Sequence, residues 1–205
     1  MASLKKEILN VPNILTMARI LAIPFFILCT WHGDPQSSLW AALIFGLASA
    51  TDFFDGWLAR RQGLVTVTGK FLDPLADKLI VMAALVLLVR LGRVASVLVI
   101  LLLAREFVVT GLRTIAMSEG VVIAAGQGGK WKTMLQLTGI GFLLLHYTYT
   151  FDFIAFRVTA SCNRVGTCLL WLALAFSLLS AWDYFKGFFS LMNARDRGDA
   201  PKNEP

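Results

Sequence analysis

Six long apolar stretches are the feature that most constrains how this 205-residue chain can fold. They cover about residues 12–32, 38–60, 71–92, 94–117, 131–155 and 164–189. A helix needs roughly 20 apolar residues to cross a bilayer, and these stretches have that length. Lipid offers no water to backbone N–H and C=O groups, so such segments cross as helices. The sequence therefore predicts an all-α integral membrane protein with six transmembrane helices.

Composition agrees with this fold class. Hydrophobic residues make up 57% of the chain and charged residues 16%, whereas a soluble domain carries about 25% charged residues. The first apolar stretch follows a polar start and lacks a small-residue cleavage site, so we expect no cleaved signal peptide. The short loops favour one membrane domain over residues 1–192. The remaining tail, residues 193–205, is polar, and we expect it to be disordered.

The distribution of Lys and Arg predicts the orientation in the membrane. If the amino terminus is cytoplasmic, most of these residues fall on the cytoplasmic side, whereas Arg90, Arg93, Arg157 and Arg164 fall on the other. This bias predicts a multi-pass protein of the cell inner membrane with both termini cytoplasmic. It also explains the net charge of +6, together with attraction to anionic membrane lipids. Because the basic residues are spread over separate loops, no nucleic-acid partner is expected.

Four aspartates interrupt the second and third apolar stretches: Asp52, Asp55, Asp73 and Asp77. A charged side chain in a bilayer costs about 2.5–3.5 kcal/mol on insertion scales, and four carboxylates would also repel one another. Their separations of three and four residues place each pair on one face of a helix. Two pairs on neighbouring helices could converge on divalent cations. Oxygen-only ligation suits Mg²⁺, Mn²⁺ or Ca²⁺ rather than Zn²⁺.

A structural explanation of the aspartates is also open, in which each one caps a helix or pairs with a nearby Arg or Lys. That explanation accounts for one or two of them. Asp52 lies eight residues before Arg60, which marks the cytoplasmic end of the second stretch, or about 12 Å along a helix. The metals should therefore lie roughly a third of the way into the hydrocarbon from the cytoplasmic side.

Small residues complete a long spaced motif around these acids, D-x-x-D-G-x-x-A-R-x8-G-x3-D-x3-D. Its small members are Gly56, Ala59 and Gly69. A glycine in a transmembrane helix often means close helix packing. Here, however, Gly56 directly follows Asp55, where a side chain would block a ligand approaching the metals. The complete motif resembles that of the CDP-alcohol phosphatidyltransferase family, and the chain matches it at every position.

A second group of charged residues lies in the fourth and fifth stretches. Its members are Arg105, Arg113, Lys130 and Lys132. Arg105 and Arg113 are about 80° apart on a helix, and the two lysines begin the next one. Together they predict an anion pocket that faces the aspartates. The alternatives are that Arg105 balances the carboxylates or Glu106, and that the lysines only anchor the protein at the membrane surface.

The resemblance extends from about residue 8 to 190 and includes segments similar to the family's glycerol-phosphate branch, among them NVPNILTMARI, REFVVTGLR and GKWKT. It implies transfer of a phosphatidyl group from the lipid CDP-diacylglycerol to glycerol 3-phosphate, with release of CMP. It also implies six transmembrane helices with a polar cavity that faces the cytoplasm, a homodimer and two divalent cations, Mg²⁺ or Mn²⁺.

The resemblance also implies roles for individual residues. The four aspartates would hold the metals, and Asp77 would also act as general base for the acceptor hydroxyl. Arg105, Arg113, Lys130 and Lys132 would bind the acceptor phosphate. The donor CDP-diacylglycerol would be bound by Gly56, Ala59, Arg60 and Gly69, with Asn13 and Thr16 as weaker candidates because helix capping explains them nearly as well.

Two other functions are consistent with parts of the pattern. Within the same family, the acceptor could be another alcohol such as inositol phosphate; the cationic pocket favours a phosphorylated acceptor over serine. In a different class, intramembrane carboxylates also line the path of divalent-cation transporters. A transport path should continue across the membrane, whereas the acids here cluster on the cytoplasmic side.

Overall fold

A computed structural model describes the backbone of residues 11–31, 33–62, 67–118, 128–152 and 157–196. Within these ranges the chain forms six helices and one two-stranded ribbon. In chain order they are α1 (Val11–Thr30), α2 (Pro35–Gln62), α3 (Val67–Arg90), α4 (Ser96–Ser118), α5 (Gly128–Leu145), β1 (Thr148–Asp152), β2 (Arg157–Ser161) and α6 (Cys162–Asp196). The helical fold is confirmed, and each predicted stretch contains one helix.

The expectation of an all-α chain with a fifth helix reaching residue 155 is wrong in one place. Helix α5 ends at Leu145, and β1 pairs with β2 in antiparallel register, with Thr148 opposite Ser161. His146 ends the helix because its φ of 59° is left-handed. The residues that follow, TYTF, are β-branched and aromatic, which favours a strand.

The last helix extends into the segment predicted to be a disordered tail. Helix α6 ends at Asp196, so residues 193–196 are helical. Residues 197–205 lie outside the described part of the chain.

One helix in the described part of the chain is long and apolar enough to cross a membrane by length and composition. It is the segment Cys162–Ser190 of α6. A shorter apolar helical segment covers Met17–Thr30. Large apolar side chains are also well exposed on other helices, including Leu21, Phe25, Leu47, Ile100 and Met117. Apolar surface of this extent is typical of helices that face lipid or a partner.

The chain divides into two compact units. The first comprises Met1–Ala95 and Leu137–Cys168, and the second comprises Ser96–Gln136 and Leu169–Pro205. In the first unit, α1 packs against both α2 and α3, which also contact each other. The rings of Phe26 on α1 and Phe45 on α2 are fully or almost fully buried, with centroids 6.3 Å apart.

Arg93 joins several segments of the first unit. Its side chain is buried, and Nη1 donates a hydrogen bond to the Leu144 carbonyl at 2.7 Å. Nη2 donates to the Gly33 carbonyl at 2.9 Å and to Ser38 Oγ at 2.7 Å. Burial lowers the pKa of the Arg93 guanidinium from its ordinary value. Since Arg93 follows the end of α3 and Ser38 lies in the first turn of α2, these two helices run antiparallel.

Candidate active site

The antiparallel arrangement of α2 and α3 brings the four aspartates to the same end of the helix pair. Asp52 and Asp55 lie on α2, and Asp73 and Asp77 lie on α3. Ser38, which contacts Arg93, marks the opposite end. A rise of 1.5 Å per residue puts Asp52 about 21 Å from the level of Ser38, and Asp77 about 20 Å from the level of Arg90.

By the same estimate, Asp55 and Asp73 lie at similar distances along their helices, about one helical turn farther from Arg93 than Asp52 and Asp77 are. Two pairs of carboxylate-bearing residues thus share two levels of two neighbouring helices. The structure describes the backbone of the four aspartates but not their side chains, so the comparison uses backbone positions alone. An all-oxygen donor set on two adjacent helices fits the Mg²⁺ or Mn²⁺ that the sequence predicts.

The predicted donor-binding residues lie on three helices of the first unit, two of which also carry the aspartates. Gly56, Ala59 and Arg60 follow the first aspartate pair toward the end of α2, and Gly69 lies in the first turn of α3. The weaker candidates Asn13 and Thr16 lie near the start of α1. Because α1 packs against α2 and α3, one bundle carries all of these positions. Their side chains also lie outside the described set.

The predicted acceptor-binding residues belong to the second unit, where three of them make contacts that the structure describes. Lys132, on α5, is 7% exposed, and its ammonium group forms an ion pair with the carboxylate of Glu106 on α4. Nη1 of Arg105 lies 3.5 Å from the same oxygen, Glu106 Oε2. Nε of Arg105 donates a hydrogen bond to the Ser177 carbonyl of α6 at 2.9 Å. Arg105 and Lys132 are thus brought together through one acid.

Arg113 extends the same helix pair. Its guanidinium carbon lies 6.0 Å from the ring centroid of Tyr184, which packs with Val109 and Ala181 between α4 and α6. Lys130 is exposed in the first turn of α5. In the part of the chain that the structure describes, Glu106 pairs with two of these four cations, so their combined positive charge favours an anionic ligand.

Sequence reasoning missed three polar residues of the second unit. Glu106 entered only as a possible balance for Arg105, whereas it binds Lys132 as well. Ser177 Oγ and Tyr184 Oη are buried and have no hydrogen-bond partner among the residues that the structure describes. They are seven residues apart, which places them on one face of α6. That spacing was the available signal, but a serine and a tyrosine in an apolar helix do not stand out by composition.

Comparison with known proteins agrees with the class that these helices and acids define. The model of the CDP-alcohol phosphatidyltransferase family matches residues 9–179, and the chain belongs to this family. The match covers the helices that carry the aspartates and those that carry the cations.

Several relatives match most of the chain. A protein of Bacillus subtilis (strain 168) named CDP-diacylglycerol–glycerol-3-phosphate 3-phosphatidyltransferase is 42% identical over 188 residues, covering 86% of this chain and 93% of its own. A protein of the same name from Rickettsia bellii (strain RML369-C) is 40% identical over 182 residues, with coverage of 86% and 94%. A probable phosphatidylglycerophosphate synthase of Mycobacterium tuberculosis (strain ATCC 25618 / H37Rv) is 41% identical over 146 residues, or 69% of this chain and 68% of its own. No solved structure matches the chain.

Proposed function

We propose that this protein is a CDP-diacylglycerol–glycerol-3-phosphate 3-phosphatidyltransferase, also called phosphatidylglycerophosphate synthase. It transfers the phosphatidyl group of CDP-diacylglycerol to glycerol 3-phosphate and releases CMP, a step of phospholipid biosynthesis. The observation that carries the proposal is the family match over residues 9–179 together with relatives of this name that are about as long as the chain.

Asp52, Asp55, Asp73 and Asp77 hold two divalent cations, Mg²⁺ or Mn²⁺, in this proposal. The metals would neutralise the charge that builds up on the phosphate oxygens when the acceptor attacks. Support comes from the matching levels of the two acid pairs on the antiparallel helices α2 and α3. The acceptor's hydroxyl proton passes to Asp77, because an alcohol is a weak nucleophile until a base takes its proton.

The donor lies against Gly56, Ala59, Arg60 and Gly69 in this proposal, with Asn13 and Thr16 on the neighbouring helix. Arg60 contributes a positive charge for the donor's phosphates. Glycine and alanine leave space beside the acids, where a larger side chain would exclude the cytidine. The packing of α1 on α2 and α3 supports this assignment, because it places all six positions on one helix bundle.

Arg105, Arg113, Lys130 and Lys132 bind the phosphate of the acceptor. A guanidinium binds phosphate with two parallel hydrogen bonds. The two described contacts of Arg105 use its Nε and Nη1 atoms, and Nη2 takes part in neither. This cationic character favours glycerol 3-phosphate over an uncharged alcohol. It also separates the proposal from cation transport, for which a cluster of four positive side chains would be a barrier.

The protein spans the inner membrane with six helices, both termini and a polar cavity on the cytoplasmic side, and works as a homodimer. The apolar segment Cys162–Ser190 and the exposed apolar side chains of the other helices support a membrane location. The excess of Lys and Arg on one side supports the orientation. The homodimer is proposed from the family resemblance alone.

An acceptor panel tests the proposed activity. The purified protein in detergent is given CDP-diacylglycerol with glycerol 3-phosphate, inositol phosphate, serine or glycerol, and CMP release is measured with each acceptor. The proposal expects turnover with glycerol 3-phosphate and at most slow turnover with the others. Preference for inositol phosphate would assign the protein to another branch of the family, and an absence of CMP release with every acceptor would contradict the activity.

A further inference from the structure

Glu106 makes a contact pattern that a helix-stabilising surface acid does not explain. It is adjacent to Arg105 on α4, and its Oε2 atom contacts both Arg105 and Lys132 of α5. The Arg105 side chain is 10% exposed and that of Glu106 is 30% exposed, so both are partly shielded from water. One carboxylate oxygen therefore connects two cations that belong to different helices.

The physical need for such an acid follows from the burial of Lys132. Its residue is 7% exposed, and an ammonium group removed from water is costly unless a negative group lies beside it. Two cations held close together also repel each other. A carboxylate between them offsets both effects through charged hydrogen bonds.

Arg105 is fixed from a second direction as well. Its Nε donates to the Ser177 carbonyl of α6, while Nη1 faces Glu106. These two contacts define the plane of the guanidinium and direct its remaining N–H groups away from both partners. Glu106 and Ser177 together thus orient Arg105, whereas Lys132 depends on Glu106 for the ion pair described above.

We propose that Glu106 is a positioning residue of the acceptor-phosphate site: its carboxylate holds Arg105 and Lys132 in the arrangement that binds the phosphate of the acceptor. The inference rests on the proposed function of these cations. It makes a prediction opposite to that of simple charge repulsion. A negative group near a phosphate site should weaken phosphate binding, so its removal should help; a positioning group should cause a loss when it is removed.

Glu106→Gln tests this directly because it removes the charge and keeps the size. We expect the KM for glycerol 3-phosphate to rise about tenfold or more, in line with the loss of one charged hydrogen bond, while the KM for CDP-diacylglycerol stays within about twofold. Glu106→Asp keeps the charge and should recover part of the loss. Asp183→Asn is the control, because it removes an exposed acid of α6 in the same unit; both KM values should stay within about twofold.

A double variant shows whether Glu106 acts through Lys132. In a Lys132→Met background, Glu106→Gln should raise the acceptor KM by a smaller factor than it does in the wild type, because only the contact with Arg105 is then left to lose. If the two single-variant increases in acceptor KM multiply in the double variant, the proposal is overturned. A lower acceptor KM in Glu106→Gln alone would also overturn it. So would an equal rise of both KM values in Glu106→Gln, which would indicate a general structural role.

Acceptor binding separates this inference from the proposed function. The thermal unfolding midpoint of the wild-type protein and of Glu106→Gln is measured with increasing glycerol 3-phosphate in the absence of CDP-diacylglycerol. Stabilisation of the wild type, weakened in the variant, supports the positioning role even if no transfer is detected. If the wild type catalyses transfer and Glu106→Gln shows unchanged acceptor binding and acceptor KM, the positioning role is overturned. The proposed activity then still stands. Absence of both binding and transfer overturns both.

Discussion

A carboxylate within an apolar helix can accept a proton only while it remains ionised, and cations bound beside it keep it so. At the residue scale this condition applies most strongly to Asp77. It lies on α3 at the level of Asp52 on the antiparallel helix α2, and it is the last acid of the family motif. In the proposed function Asp77 shares a metal and also takes the proton of the acceptor hydroxyl.

Asp77→Asn should therefore lower the rate of transfer far more than the affinity for CDP-diacylglycerol. Asparagine keeps the size of the side chain but cannot take up the proton, and general-base catalysis typically contributes 10²–10⁴-fold. The measurement is kcat with saturating glycerol 3-phosphate, together with donor binding at equilibrium. Turnover close to that of the wild type would mean that another group, or none, acts as the base.

His146 is the second residue with a specific expectation. Asn163 Nδ2 lies 3.3 Å from the Arg93 carbonyl, which can only accept, so the amide nitrogen donates there; the same nitrogen lies 3.0 Å from His146 Nδ1. The Nδ1 atom is then an acceptor and carries no proton. Burial, and next the positive charge of Arg93, lower the pKa of His146 below its ordinary value of 6.5.

This shift predicts a pH dependence of stability. Because the unfolded chain binds a proton at His146 more readily than the folded protein does, the stabilisation is present above pH 6.5 and is lost as the pH falls below it. His146→Asn should flatten the slope of the unfolding midpoint between about pH 7 and 5, since asparagine tolerates the left-handed φ of 59°. Identical slopes for the two proteins would exclude His146 as the source.

At the scale of elements, α5 and α6 approach closely within the first unit at Gly166. A Cβ added there would lie 2.7 Å from Leu143 Cγ and 2.8 Å from the Gly139 carbonyl oxygen. Backbone at this distance cannot move aside without shifting the helix. Small residues permit such close contact between membrane helices. Gly166 is therefore a packing position.

Gly166→Ala should lower the unfolding midpoint, because overpacking of this kind typically costs about 1–3 kcal/mol. Gly141→Ala is the matched control on α5: nothing lies within 4 Å of the added Cβ, and alanine favours a helix over glycine by about 1 kcal/mol. The control should be neutral or slightly stabilising. Equal effects of the two substitutions would show that the contact at Gly166 yields easily.

At the scale of the whole molecule, the sequence predicted where the helices lie better than it predicted contacts between individual residues. The apolar stretches located the six helices of the part of the chain that the structure describes, because a segment of about 20 apolar residues is expected to be helical if it crosses a membrane. The strand TYTF was assigned to a helix, since its aromatic residues continued the apolar stretch and the left-handed φ of His146 has no signal in composition. The roles of Arg93 and Glu106 depend on partners distant in sequence, which no spacing rule reveals.

The candidate site was predictable to the extent that a spaced motif carries it. The four aspartates stand out because acids in apolar helices are rare and need cations, and their role as metal ligands stays a prediction. The Lys132–Glu106 pair could not be separated from membrane anchoring, since both explanations use the same lysine near a helix start. The motif thus identified the family, while the orientation of the cations required the packing of α4 with α5 and α6.

In the proposed function, carboxylates of α2 and α3 hold divalent metals that the transfer requires. The most direct test of this requirement is CMP release from CDP-diacylglycerol and glycerol 3-phosphate by the purified protein, measured after treatment with EDTA and again as Mg²⁺ or Mn²⁺ is added back. We expect no turnover in EDTA and recovery with either metal, but no recovery in Asp52→Asn or Asp73→Asn. Full turnover of the wild-type protein in excess EDTA would contradict it.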